Sequence, residues 1–310
     1  MDNYCYNSKE NLVLEHDYKD EILCHLRDLS KATRPDCNMI NMQPELEWYM
    51  RPYLIDFIIE CHQMMRLSPS TLFLTVNLID RYASKRIIYK RHYQLVACSA
   101  LWIASKYNHD DNVPTLNQLK TFSCNVYEPH MFIQMESHIL NTLNWLIGFP
   151  TADLYLDMYL REDDDCIVRQ LANYVCEVSL FHKQFLAYSS QEIARCAAKL
   201  SVMILKFHHE SLNAPVDDCD QTCFNLLVHA STIPSEITKK KYFNCFRIVE
   251  DFFNSIKLQP PTYEPSYQPP RQQPSPVPSD GGNFDLHPIV TKTPPYERGY
   301  ITPPFTPVVD

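Results

Sequence analysis

Apolar residues recur three and four positions apart along most of the first 258 residues, and no run alternates two apart over strand length. That spacing lines one face of a helix and predicts an all-α chain. Residues 1–16 read as irregular. Residues 17–33 read as a polar helix with Ile22, Leu23, Leu26 and Leu29 along one side. Asp36 to Pro44 breaks it. A helix starts near Met50, with Pro52 in its first turn, where the missing N–H is harmless. Leu54, Ile55, Phe57, Ile58 and Cys61 give it a broad apolar face. Ser68 as cap and Pro69 at the first position open the next helix, with Leu72, Val76 and Ile79 at helical spacing. From His92 to Lys106 the chain is apolar nearly all round and rich in small residues, as suits the centre of a bundle. Pro114–Thr115 opens a short helix to about Cys124. Pro129 opens a longer one with Ile133, Met135, Ile139, Leu140 and Leu143 inside. Gly148–Phe149–Pro150 ends it. Five further helices are expected near 151–161, 165–182, 189–208, 218–231 and 236–257.

These elements divide the chain into an N-terminal segment with one helix (1–45), two five-helix bundles (46–150 and 151–258) and a tail (259–310). The tail holds 14 of the 23 prolines and three of the four glycines, a composition that sustains neither helix nor sheet and predicts disorder.

Glycine usage also bears on chemistry. Only Gly148 lies before residue 280, so no glycine-rich loop can cradle a phosphate, and no GxSxG, HExxH or kinase signature is present. An enzyme of the nucleotide-binding kinase or Rossmann type is excluded. The balance of 28 basic and 37 acidic residues, net −9, argues against a nucleic-acid partner. Lys85–Arg86, Lys90–Arg91 and Lys239–Lys240–Lys241 read as solvated helix faces. The 12 cysteines are scattered, and Cys61, Cys98, Cys176 and Cys196 sit in apolar runs, where they act as small hydrophobes. Cys219 and Cys223, with His208 and His209 upstream, lack the spacing of a zinc site, so neither metal nor cofactor is expected. No stretch of 18 apolar residues and no signal-peptide layout appears, so the expectation is an intracellular protein of nucleus and cytoplasm with no membrane partner.

The run Met50–Arg51–Pro52–Tyr53–Leu54–Ile55–Asp56–Phe57–Ile58 is followed by Leu78–Ile79–Asp80–Arg81–Tyr82, Ala104–Ser105–Lys106–Tyr107 and Met135–Glu136. In this order and with these gaps the stretch from about 46 to 160 resembles a cyclin box. Arg51, Asp80, Leu95, Lys106 and Glu136 match its five signature positions. The form of the first run looks most like fungal G1/S cyclins. The resemblance implies two tandem five-helix folds. It implies a subunit that supplies no catalytic group, and that binds a cyclin-dependent kinase catalytic subunit in its active conformation to drive the G1/S transition. In the family the equivalents of Arg51 and Asp80 form an internal ion pair. The equivalents of Lys106 and Glu136 point outward and bond the backbone near the kinase's regulatory helix. Tyr107, Ile139 and Leu140 are expected as apolar contacts beside them. A substrate-docking groove would use Met50, Leu54, Phe57, Glu60 and Gln94. The acids that often follow the Lys and its aromatic neighbour are displaced here to Asp110 and Asp111, which weakens or re-registers one expected kinase contact.

In the tail, Ser275, Thr293, Thr302 and Thr306 each precede proline, the minimal site of a proline-directed kinase. Ile301–Thr302–Pro303–Pro304–Phe305–Thr306 resembles the phosphodegrons read by F-box ubiquitin ligases, where phosphate meets an Arg cluster. Turnover through that ligase is therefore expected. Two alternatives stand beside the G1/S reading. One is a cyclin for a transcriptional or nutrient-responsive kinase. The other is an initiation-factor-like DNA-binding protein, which shares the paired fold but needs a basic face.

Overall fold

The computed structural model describes residues 17–160, 166–208 and 219–256, and among these the regular elements are helices alone. Helix α1 spans Lys19–Ala32 and the short α2 spans Cys37–Asn41. The first bundle is α3 (Arg51–Met65), α4 (Pro69–Ala83), α5 (Tyr93–Tyr107), α6 (Leu116–Phe122) and α7 (Pro129–Thr142). The second is α8 (Ala152–Tyr159), α9 (Cys166–Ser179), α10 (Ser190–His208), α11 (Gln221–Thr232), α12 (Glu236–Lys241) and α13 (Phe243–Ile256). The tail with Ser275, Thr293, Thr302 and Thr306, and residues 1–16, lie outside the described residues.

Local signals account for the helix starts. Asp36 accepts from the backbone N–H groups of Asn38 and Met39, which nucleates α2 where a plain break was expected. Thr115 and Gln118 form a reciprocal capping box at α6. Pro69 and Pro129 occupy the opening turns of α4 and α7.

The most buried helix is α4 rather than the small-residue helix α5 that the pattern placed at the centre. Thr71 through Ala83 of α4 are all buried. Its polar residues escaped the apolar count because each has a partner. Thr75 donates to Thr71 O, Asn77 to Thr33 O and Arg81 to Leu146 O, while Asp80 accepts from Arg51. Most of α4 faces the first core, but Phe73 belongs to the second. The helix is thus a shared wall between the bundles. Leu26 of α1 also packs on the second core.

Two expectations for the second bundle need correction. The helix near 165–182 stops at Ser179 and is followed by a 3-10 turn, Lys183–Ala187. The helix expected over 236–257 breaks at Tyr242, which leaves α-helical backbone at φ −114°, ψ 40°. There the Tyr242 hydroxyl donates to buried Glu177 at 2.5 Å and its ring meets Tyr174 edge-on at 5.7 Å. A tertiary seat for one ring overrides helix continuation.

Candidate functional site

Helices α5 and α7 pack side by side and carry the two residues of interest. Lys106 lies in the last turn of α5 and Glu136 near the middle of α7. The Lys106 ammonium donates to the Glu136 carboxylate and stands 3.5 Å from the centroid of the Trp102 ring. The two side chains are 39% and 17% exposed. Such a pair adds at most about 1 kcal/mol to stability, so a partner can exchange into it cheaply. Tyr107, 48% exposed, extends this surface, and its hydroxyl lies against Gly148. A Cβ on Gly148 would come within 2.8 Å of that oxygen, so the glycine lets the hydroxyl approach the backbone there.

The neighbours expected from sequence differ in exposure. Ile139 is fully buried and Leu140 is nearly so. Both belong to the first core and offer a partner no surface. Ile133 of α7, expected inside, is half exposed. Trp145 and Leu146, just beyond α7, are exposed at 64% and 39%, and were not expected from sequence as surface residues. Their signal was an aromatic residue at a helix end, which reads as core until the turn is known.

The displaced acids have separate fates. Asp110 turns inward: its carboxylate accepts from the Ser68 backbone N–H at 3.0 Å and from the Thr71 hydroxyl at 2.6 Å. It therefore serves the N-terminus of α4, where the Ser68 side chain makes no cap bond. Asp111 remains exposed.

Arg51 and Asp80 form a buried fork, Nη1 to Oδ1 at 2.5 Å and Nη2 to Oδ2 at 2.9 Å. The third donor, Arg51 Nε, reaches Leu180 O in the second bundle at 2.8 Å. The pair thus joins α3 to α4 and the first bundle to the second.

Met50, which caps α3, and Phe57 within it are half-buried and Glu60 is exposed, with Gln94 of α5 half-buried. Leu54, expected in a docking groove, is 7% exposed and belongs to the first core, so it offers a groove no side chain. Tyr53 is the exposed aromatic of that stripe. Helix α12 packs against α3, and Ile237 sits on the first core. Burial holds the Asp56 carboxyl above its ordinary range.

Residues 21–148 match the family described as cyclin, N-terminal domain, and residues 150–262 match cyclin, C-terminal domain. The chain belongs to the cyclin family. Cyclins are regulatory subunits of kinases and not enzymes themselves. Among its relatives is the G1/S-specific cyclin CCN1 of Candida albicans, 40% identical over 230 residues, which cover 67% of this chain and 33% of that protein. Cyclin puc1 of Schizosaccharomyces pombe is 45% identical over 141 residues, 45% of this chain and 39% of that one. The chain spans about a third to three-fifths of the length of the G1/S relatives it matches. A viral cyclin from herpesvirus saimiri shares the fold at a TM-score of 0.52 and 20% identity, covering 74% of this chain and 96% of that one.

Proposed function

We propose that this chain binds and allosterically activates a cyclin-dependent protein kinase at the G1/S transition. The observation that carries the reading is the partly exposed Lys106–Glu136 pair on α5 and α7, with exposed Tyr107 beside it. The pair is held on two rigid helices over a packed core, so its donors and acceptors are already oriented. Opening it costs little, and charge-assisted bonds to a partner's backbone offset that cost. A surface complementary to the kinase's active conformation shifts the kinase population toward it without contributing a reacting group. The names of the G1/S relatives support the timing.

The reading extends to substrates and turnover. Met50 just before α3, Phe57 and Glu60 on it, and Gln94 form the candidate groove for kinase substrates. Phosphorylation at Ser275, Thr293, Thr302 or Thr306 would follow from the activated kinase, and Thr302 would then address an F-box ubiquitin ligase. The protein would act where these partners act, in nucleus and cytoplasm.

The test is affinity purification from cells expressing tagged Lys106→Ala/Glu136→Ala beside the wild-type chain. The wild type brings down a cyclin-dependent kinase catalytic subunit, and the double variant, still folded by circular dichroism, does not. Equal recovery of kinase by both refutes the site.

A further inference from the structure

A cavity of about 260 Å³ lies where α1, α4, the start of α8 and the 3-10 turn before α10 meet. Phe73, Phe149, Tyr155 and Phe185 wall it, and the Arg51–Asp80 fork lines it with its charges already matched. Protein interiors keep few voids larger than a water molecule, and aromatic walls give water few partners.

Two polar features of the cavity point to a ligand. Tyr155 is 2% exposed, yet its hydroxyl has no hydrogen-bond partner among the described residues. A buried phenol ordinarily finds one. Burial and then Tyr159 push this phenol's pKa up, and the nearby Arg27 charge opposes them. The second feature is the charge at the mouth, where Arg27, Lys31 and Arg34 line the cavity and are exposed. Arg27 makes no ion pair among the described residues, and Lys31 has a 3.3 Å contact with exposed Asp28. Arg34 donates to Ala187 O. Glu192, the other carboxylate of the lining, already accepts from the Ser189 N–H and hydroxyl at 2.9 Å each. His182 adds no charge, because burial first, then His229 and Arg51, push it down to about 4. The site is aromatic inside and cationic at its mouth, with one donor to spare. It suits an anionic peptide that carries an aromatic side chain.

The chain itself holds such a segment. Thr–Pro–Pro followed by an aromatic residue occurs twice in the tail, at Thr293–Tyr296 and at Thr302–Phe305. Lys292 and Arg298 flank the first copy. Residues 299–310 hold no base and one acid, Asp310, and phosphate on Thr302 and Thr306 adds about −1.5 to −2 each. Thr302 lies 46 residues beyond Ile256, the end of α13. That length extends to roughly 150 Å, several times the radius of gyration of about 18 Å expected for a globule of this size, so the tether reaches any face.

We propose that the cavity binds the chain's own phosphorylated tail at residues 301–306. Phe305 enters between the rings, the Thr302 phosphate meets Arg27 and Lys31, and the Tyr155 hydroxyl donates to a carbonyl of the segment. Held there, Thr302 is hidden from a ubiquitin ligase, so capture opposes the turnover proposed above. The inference rests on that reading of the tail for the source of the phosphate and for the consequence of capture.

The test is fluorescence anisotropy of a labelled peptide of residues 299–310, made with phosphothreonine at 302 and 306, titrated with the unphosphorylated full chain. The phosphorylated peptide binds at least about tenfold more tightly than its unphosphorylated form. Arg27→Ala/Lys31→Ala loses about tenfold, Phe305→Ala in the peptide about tenfold, and Tyr155→Phe severalfold with no lower Tm. Lys85→Ala/Lys240→Ala, which removes two exposed charges elsewhere, binds as the wild type does. A full chain given phosphothreonine at 302 by semisynthesis takes up the labelled peptide at least about fivefold more weakly, because its own tail competes. Equal binding of the two peptide forms overturns the site. So does wild-type affinity in Arg27→Ala/Lys31→Ala, Tyr155→Phe or the Phe305→Ala peptide, or an equal loss in Lys85→Ala/Lys240→Ala. Equal uptake by the semisynthetic and unphosphorylated chains overturns binding within one molecule. The phosphate is installed chemically, so these outcomes stand apart from whether the chain activates a kinase or is phosphorylated by one.

Discussion

Replacing Asp80 with alanine tests the joint between the bundles. The substitution strands the Arg51 guanidinium, which keeps its 2.8 Å bond to Leu180 O but loses both bonds to carboxylate. Removing one partner of a buried pair costs about 3–5 kcal/mol, because the remaining charge is uncompensated. An independent count agrees: two charge-assisted bonds at about 1.5–3 kcal/mol each give about 3–6 kcal/mol. For a folded unit of this size each kcal/mol lowers Tm by about 2–4 °C, so Asp80→Ala should melt about 6–20 °C lower. Arg51→Met with Asp80→Leu removes both charges and keeps the apolar volume. It should recover most of the loss, short of about 1 kcal/mol for the Leu180 carbonyl left without its donor. Urea and thermal unfolding followed by circular dichroism read both variants. A loss under 1 kcal/mol in Asp80→Ala, or a double variant no more stable than Asp80→Ala alone, refutes the reasoning.

Phe73→Ala should cost about 3–5 kcal/mol, because its ring leaves α4 to fill the second core, and calorimetry should show the single transition splitting in two; one sharp transition with a loss under about 1 kcal/mol contradicts the shared-wall reading. His182 is pushed down to about 4, by burial first and then by nearby His229 and Arg51. As pH falls below its ordinary 6.5 the unfolded chain takes the proton first, so stability drops between about pH 6.5 and 4, by at most about 3 kcal/mol from this residue. His182→Phe should flatten that limb in urea midpoints measured across the window, and an unchanged slope counts against it.

The periodic helices of the first bundle were legible because proline and capping residues mark their starts and their apolar faces have one side. Arg51, Asp80, Lys106 and Glu136 were legible only through their joint spacing, since a lone Lys or Glu at a helix edge says little. Burial depth was not legible. Periodicity separates faces of a helix but not core from rim, so Ile133 was grouped inside with Ile139 and Leu140, although it is half exposed, and the two buried residues were also expected to contact a partner. The full burial of α4 was hidden because its polar residues find partners in distant segments, Thr33, Leu146 and Arg51. The same holds for Asp110, whose role depends on Ser68, 42 positions away. The break at Tyr242 follows from Glu177 and Tyr174, which no local window contains.

The central claim is that this chain activates a kinase through the α5–α7 surface. The most direct measurement adds the purified full chain to a cyclin-free cyclin-dependent kinase catalytic subunit and follows phosphate transfer to a proline-directed peptide. Moving the active conformation from about 1% to nearly full occupancy raises the rate on the order of a hundredfold. The account predicts such a rise for the wild type and none for Lys106→Ala/Glu136→Ala at the same concentration. No rise with the wild-type chain, or an equal rise with both, contradicts it.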